Sequence, residues 1–269
     1  MTGSLQRIWG LVYRHLAVYR RSWPRLVEIT YWPTLELLIW GFTASFFSHA
    51  KAVSSGEAGG LAAGALVAGV LLWEVMLRGQ IGVTFTFMEE IWSRNLGDVF
   101  VSPLRPAEMI ATLLVISILR TIIGVLPAVG IAYFCYSFNI FGLGPVLILF
   151  FINLLVMGWW VALGIVALLF RYGAGAEALA WTLAFGITPL ACVFYPVAVL
   201  PAWLQPVALA FPAAHVFEGM RAALHGSVQW NQLAAAAISN IFWMAVAVAV
   251  FGAQFRAARI RGALISIGE

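Results

Sequence analysis

Charge is what this chain has least of. Only 10% of its 269 residues are Asp, Glu, Lys or Arg, and Lys51 is the single lysine among 15 basic residues. Hydrophobic types make up 63%, and the mean hydropathy is +0.96. A soluble domain is about 45–50% apolar and about 25% charged. The shortage of charge therefore excludes a soluble globular enzyme, a disordered chain and a coiled coil. The apolar runs are continuous, which excludes a barrel of alternating strands of about 10 residues. What is left is an all-α polytopic membrane protein.

Other absences narrow the chemistry. There are two cysteines, Cys135 and Cys192, with no CxxC spacing, so neither a disulfide framework nor a cysteine zinc site is expected. The sequence holds no GxxxxGK[ST] phosphate loop, no HExxH, no GxSxG and no pair of aspartate-rich motifs. Its four histidines are scattered; His215 and His225 are ten residues apart with no third ligand in view. No catalytic, cofactor-binding or metal-ligating residue is expected on this chain. Five arginines fill the first 25 residues without a short apolar core or a small-residue cleavage site, so no signal peptide is expected. The net charge of +4 needs no nucleic-acid partner, because basic residues on inner loops account for it.

A membrane-spanning helix takes about 20 mostly apolar residues. Six stretches qualify as expected spans: Tyr31 to Phe47, Leu61 to Phe87, Met109 to Tyr136, Leu143 to Phe170, Leu179 to Pro196 and Leu233 to Phe251. Arg7, Arg14, Arg20, Arg21, Arg25, Arg94, Arg105, Arg171, Arg256, Arg259 and Arg261 then fall on one side, against Lys51 and Arg221 on the other. That asymmetry predicts both termini in the cytoplasm.

Three segments outside the spans stand out. Residues 1–29 contain Leu5, Ile8, Val12, Leu16, Tyr19 and Trp23 at helical spacing, opposed by Arg7, Arg14 and Arg21. This predicts an amphipathic helix in the inner interface, apolar row toward lipid and arginines toward headgroups; packing on a partner is the competing reading. Residues 89–107 form a charged inner loop with an apolar centre, Val99-Phe100-Val101. It reads as a short helix reaching into the cytoplasm or as a solvated loop. Residues 196–231 are apolar and outer, but Pro196, Pro201, Pro206 and Pro212 forbid one straight helix. A pair of short helices dipping into the outer leaflet is expected, with Gly226 as a helix stop.

Ionisable groups inside spans are costly and mark pathways or mutual pairs. Glu74 and Arg78 are four apart in the favourable acid-before-base order, which predicts an intrahelical ion pair. Glu36 and Arg120 have no local partner; they pair across spans or line a route for a polar substrate. Trp159, Trp160, Trp181, Phe185, Phe194 and Tyr195 serve packing and interfacial belts, with cargo stacking as the alternative. Were these four charges to carry ion coupling, the chain would be a secondary transporter or channel.

The inner loop begins with an acid, Glu90, and ends in Ser102-Pro103-Leu104. The outer run PVAVLPAWLQPVALAFPAAHVFEGMRAAL carries Pro196, Leu200-Pro201, Trp203-Leu204, Pro212, His215, Glu218 and Arg221. Together with a basic interfacial helix and six spans, these segments resemble the ABC type-2 transporter permease family, related in fold to the eukaryotic ABCG transporters. The resemblance covers the whole chain, 1–269, as a single transmembrane permease domain. The loop departs from the family in its middle: Gly-Thr-Leu-Glu is here Arg94-Asn95-Leu96-Gly97, with the acid displaced to Asp98.

The resemblance implies a permease without catalytic residues in a bacterial cytoplasmic (inner) membrane. A separate ATPase subunit, in two copies, would bind ATP and Mg. Glu89, Glu90, Arg94, Asn95, Asp98, Ser102 and Pro103 would form the coupling helix that docks on it. A second copy of the permease would complete the pathway, with Glu36, Glu74, Arg78, Arg120, Trp181, Phe185, Phe194 and Tyr195 as candidate lining. Pro201, Pro212, His215, Glu218 and Arg221 would belong to an outer lid. The cargo implied is an amphipathic or hydrophobic drug, lipid or glycolipid.

Overall fold

The computed structural model describes residues 2–52, 58–93 and 106–260. They form α1 (Thr2–Arg21), α2 (Trp23–Ala52), α3 (Ala58–Trp92), α4 (Pro106–Tyr136), α5 (Val146–Tyr172), α6 (Glu177–Ala191), α7 (Gln205–Leu209), α8 (Pro212–Leu224) and α9 (Trp230–Ile260), joined by 3-10 turns at Ile140–Leu143, Gly173–Ala176 and Val197–Val199. No strand occurs among the described residues. Helices are what the composition demands, because in hydrocarbon each backbone N–H and C=O must be paired within its own segment.

Among the described residues four helices are long and apolar enough to cross a membrane: Ala63–Trp92, Ala107–Tyr136, Val146–Tyr172 and Trp230–Ile260. They contain the expected third and sixth spans and overlap most of the second and fourth, the fourth starting three residues later than expected because Leu143 closes a 3-10 turn. The expected first span lies inside α2, which is long enough but diluted by Glu36, Pro33 and its Tyr, Trp and Thr residues. The expected fifth span is shorter than the sequence suggests. α6 has 15 residues and stops at Ala191, because Cys192 takes a left-handed backbone (φ 56°) that turns the chain.

α3 is the central helix. It packs on α2, α4 and α5, and α5 in turn packs on α9. Val70, Leu71, Leu72, Trp73, Val75, Met76 and Leu77 of α3 are all buried, so this helix is covered nearly all round by its own chain. α9 is the reverse: Ile238, Ile241, Phe242 and Val248 are exposed, an apolar face of the kind lipid covers.

Two glycines bring helices together. A Cβ on Gly158 of α5 would meet Met76 O at 2.5 Å and Gln80 N at 2.9 Å. A Cβ on Gly82 of α3 would meet the Cα of Ser117 at 2.9 Å. Small residues at crossings let backbones approach and let polar groups reach across. Ser117 Oγ accordingly donates to Gly79 O at 2.7 Å and accepts from Trp159 Nε1 at 3.2 Å. α5 and α9 are tied by a second polar link, in which the Asn240 amide nitrogen donates to both Asn153 O and Asn153 Oδ1 at 3.0 Å. Trp160 Nε1 donates to Asn240 Oδ1 at 3.1 Å.

Replacing Gly158 by Ala is expected to push α5 off α3 and destabilise the bundle by about 1–3 kcal/mol, the usual cost of overpacking. Thermal unfolding of the purified protein in detergent checks this; an unchanged midpoint would remove the close-approach argument.

Candidate functional site

α1 packs against α4. Val12 and Tyr19 are buried against Ile116 of α4, with Ile8, Leu16 and Leu119 packed around them. The expected lipid-facing row is thus corrected: its middle is spent on α4, and only Leu5 and Trp23 at its ends are exposed. Of the opposing arginines, Arg7 and Arg14 are paired with carboxylates, while Arg21 stays exposed. Arg7 grips Glu108 with a fork, Nε to Oε2 at 3.0 Å and Nη2 to Oε1 at 2.6 Å, and Ser4 Oγ donates to Glu108 Oε1 at 2.7 Å. Arg14 Nη2 donates to Glu90 Oε2 at 3.0 Å. The physical reason is that Glu90 and Glu108 are buried carboxylates, and a buried charge needs a partner beside it.

These pairs share one place in the chain. Glu89 and Glu90 close α3 just before the inner loop, and Glu108 opens α4 just after it. Arg25 of α2 holds Glu89 at 3.1 Å, and His15 Nε2 stands 3.4 Å from Glu90 Oε1. Both roots of the inner loop are therefore pinned to the N-terminal arm. Arg94, Asn95, Asp98, Ser102 and Pro103 lie outside the described residues.

The His15 imidazole is buried, which pushes its pKa below the ordinary histidine value; Glu90 opposes that shift, and Arg14, Arg120 and Arg25 reinforce it. Hydrogen bonding to Glu108 raises the Arg7 guanidinium further above its usual value.

The intramembrane charges form two separate arrangements. Arg78 Nε donates to Glu74 Oε2 at 2.8 Å, the pair expected from their spacing. The Glu36 carboxyl comes within hydrogen-bond reach of Glu74, with Arg78 nearby, so α2 joins α3 in a three-residue cluster. Arg120 does not join it. Its Nη1 donates to the Tyr19 hydroxyl at 3.0 Å, and its guanidinium lies 5.5 Å over the Tyr19 ring.

Between α2, α3, α4 and α6 is a cavity of about 140 Å³ lined by Glu28, Ile29, Trp32, Arg78, Ile81, Phe85, Arg120 and Trp181. Three expected pathway residues, Arg78, Arg120 and Trp181, thus meet in one place. Trp181 meets Phe85 edge-on at 5.5 Å and stacks on Phe185 at 6.1 Å. Phe194 is elsewhere, stacked on Trp40 at 4.1 Å, and the Tyr195 hydroxyl donates to Pro189 O at 2.7 Å.

The outer segment is a clamp of short helices. Pro206 and Pro212 occupy the first turns of α7 and α8, where a missing N–H costs nothing. α8 buries Ala213, Ala214, Val216, Phe217 and Met220, and Gly226 (φ 80°) follows its end. Arg221 donates twice to Cys192 O at 3.1 Å. Glu218 Oε1 accepts from Val197 N at 2.7 Å and from Arg221 at 3.3 Å. His215 bridges Gln232 Oε1 at 2.7 Å and Leu209 O at 2.9 Å. Pro201 O accepts from Leu204 N at 2.8 Å, closing the turn before α7. Cys135 and Cys192 are free thiols.

The described residues thus form a helical bundle with ion pairs at both ends of the loop between α3 and α4, a cavity beside α2, α3, α4 and α6, and a proline-rich segment of short helices before α9. The sequence matches the family described as ABC-2 type transporter over residues 6–225, most of its length, and the chain belongs to that family. It is a permease component of an ABC transporter, and membership implies association with an ABC ATPase. No curated protein matches it.

Sequence reasoning missed Glu108, Arg7, Arg14, His15 and Arg25 as one cluster. The signal available was scarcity: with 11 acidic residues in the chain, an acid on each side of one loop has few reasons to be there other than a basic partner. Burial of neutral His15 predicts a pH effect. As pH falls below about 6.5, the unfolded chain takes up a proton before buried His15 does, so this contribution to stability is present above that value and lost below it. The midpoint of thermal unfolding is expected to fall faster with acidification in the wild type than in His15→Asn. Parallel curves would remove His15 from the argument.

Proposed function

We propose that this chain is the permease subunit of an ATP-driven exporter, with two copies of a separate ATPase binding ATP and Mg and a second copy of this chain completing the pathway. The cargo is an amphipathic or hydrophobic molecule, a drug, lipid or glycolipid, moved outward through a homodimer interface. Six helices span a bacterial cytoplasmic membrane, α2 and α6 among them, with both termini inside.

One observation carries this reading: both roots of the inner loop, at Glu89, Glu90 and Glu108, are locked by ion pairs to α1 and α2. Helix ends held in this way move with the arm as one body, and rigid elements are what convert docking of an ATPase into displacement of helices. Arg94, Asn95, Asp98, Ser102 and Pro103 then serve as the docking element, with Glu89 and Glu90 fixing its base. Arg78, Arg120 and Trp181 line the cargo's inner site. Glu36 and Glu74 neutralise Arg78 from one side, and Phe185, Phe194 and Tyr195 build the aromatic wall beyond. Pro201, Pro212, His215, Glu218 and Arg221 hold the outer lid.

Two measurements test the reading. The permease co-expressed with its ATPase and reconstituted in lipid is expected to hydrolyse ATP, with cargo stimulation lost in Glu108→Ala and in the Arg94→Glu, Asp98→Arg double variant while the complex stays assembled. Full stimulation in both would sink the coupling assignment. For orientation, a cysteine placed at Lys51 is expected to react with an impermeant reagent from outside and one at Arg171 only after lysis; the reverse pattern would overturn the topology.

A further inference from the structure

The cavity between α2, α3, α4 and α6 carries more information than its place on a pathway. Arg78 stands fourteen residues before the Trp92 end of α3, and Arg120 fourteen residues after the Pro106 end of α4. At 1.5 Å per residue both are about 21 Å from their inner ends. The bond from Ser117 Oγ to Gly79 O holds the two helices side by side at this height. From Arg78 to Ala58 there remain twenty residues, about 30 Å of helix, which is one hydrocarbon thickness. On the permease reading, with the Ala58 end of α3 at the outer boundary, the two guanidiniums lie at the inner edge of the hydrocarbon, near the phosphates of the inner leaflet. Trp32 and Trp181 at the same cavity are half exposed, as indole rings are at a membrane interface.

The charges at the cavity differ in what they already hold. Arg78 is paired with Glu74, which is fully buried, and Glu36 stands behind it. Arg120 has the neutral Tyr19 hydroxyl as its partner; among the described residues no carboxylate lies within 4 Å of it. Glu89, which feels the Arg120 charge, is committed to Arg25. Glu28 also lines the cavity and is exposed. α6 contributes Trp181 and no charge. The cavity thus presents guanidinium donors on two walls, a carboxylate on a third and rings between.

We infer that this cavity takes the headgroup of a zwitterionic amphiphile from the inner leaflet, its phosphate on Arg120 and Arg78 and its ammonium on Glu28. An anion alone would meet Glu28 unfavourably, and a cation alone would meet Arg120. A molecule carrying both charges a few ångströms apart satisfies every group present. At about 140 Å³, roughly ten times the space one water needs, the cavity holds a headgroup and leaves no room for the acyl chains, with Ile29, Ile81 and Phe85 as its apolar lining. The inference rests on the permease reading and names the substrate class of its inner site.

The test uses the full-length chain purified in detergent, titrated with short-chain phosphatidylethanolamine, phosphatidylglycerol and inorganic phosphate, with binding read by native mass spectrometry. Phosphatidylethanolamine is expected to bind in preference to phosphatidylglycerol, and inorganic phosphate to leave it in place. Arg120→Gln should weaken the phosphatidylethanolamine complex by about tenfold or more, as loss of a charged hydrogen-bond partner does, and Arg120→Lys should restore most of it. Tyr19→Phe removes the hydroxyl but not the guanidinium and should leave binding unchanged. Glu28→Gln, at an exposed position that leaves folding intact, should lower phosphatidylethanolamine binding and raise phosphatidylglycerol binding.

Equal affinity in wild type and a folded Arg120→Gln overturns the inference. So does a headgroup preference that Glu28→Gln leaves unmoved, or displacement by inorganic phosphate, which would make the ligand a free anion. None of these readings needs an ATPase. Headgroup preference without coupled ATP hydrolysis removes the exporter and keeps the site; coupled hydrolysis without preference removes the site alone.

Discussion

A charge next to hydrocarbon must find a partner within the protein or a path to water, and the placement of side chains here follows from that demand. Glu90 and Glu108 are almost fully buried, so each needs a cation close by. The arginines that supply it come from α1, and this fixes where α1 lies. Once it is fixed, Val12 and Tyr19 are carried onto Ile116, and Tyr19 is carried under Arg120. The ion pairs set the geometry, and the apolar packing fills in behind them.

The rest of the bundle is held by a different means. Between helices that both face lipid the hydrophobic effect gains little, and close backbone approach with a few buried polar bonds takes over. Gly158, Gly82 and Ser117 do this between α3 and its neighbours, and Asn240 with Asn153 and Trp160 does it between α5 and α9. The outcome is a packed block of α3, α4, α5 and α9, with α2 and α6 flanking a cavity at its edge. Arg221 and Glu218 seal the outer side by satisfying the carbonyls and N–H groups that a proline-rich turn leaves open.

What could be read in the sequence depended on distance along the chain. The Glu74–Arg78 pair was legible because helical geometry alone brings residues i and i+4 together. The breaks in the outer segment were legible because proline removes a backbone donor wherever it stands. Four spans were legible from length and apolarity. The fate of α1 was not: an amphipathic stripe says that one face will be covered, not by what, and lipid and α4 offer the same apolar surface. Glu36 and Arg120 had no local partner, and both cross-span pairing and a pathway were left open. The structure gave Glu36 to Glu74 and Arg120 to Tyr19, choices set by helix rotation that no periodicity specifies. Span five ended early because of the backbone at Cys192, which carries no compositional mark.

The partner of Arg7 is 101 residues further along the chain, and that separation imposes an order of assembly. During synthesis α1 is made first, yet the carboxylate that receives Arg7 exists only after α2, α3 and the inner loop have been made. Contacts between such distant segments form late, after their loop-closure cost has been met. The N-terminal arm therefore waits, and its docking reports that the first three long helices are in place. A permease with a truncated or misinserted α3 would leave Arg7, Arg14 and Arg25 without their carboxylates, a difference that quality control by chaperones and proteases can act on before a partner subunit is recruited.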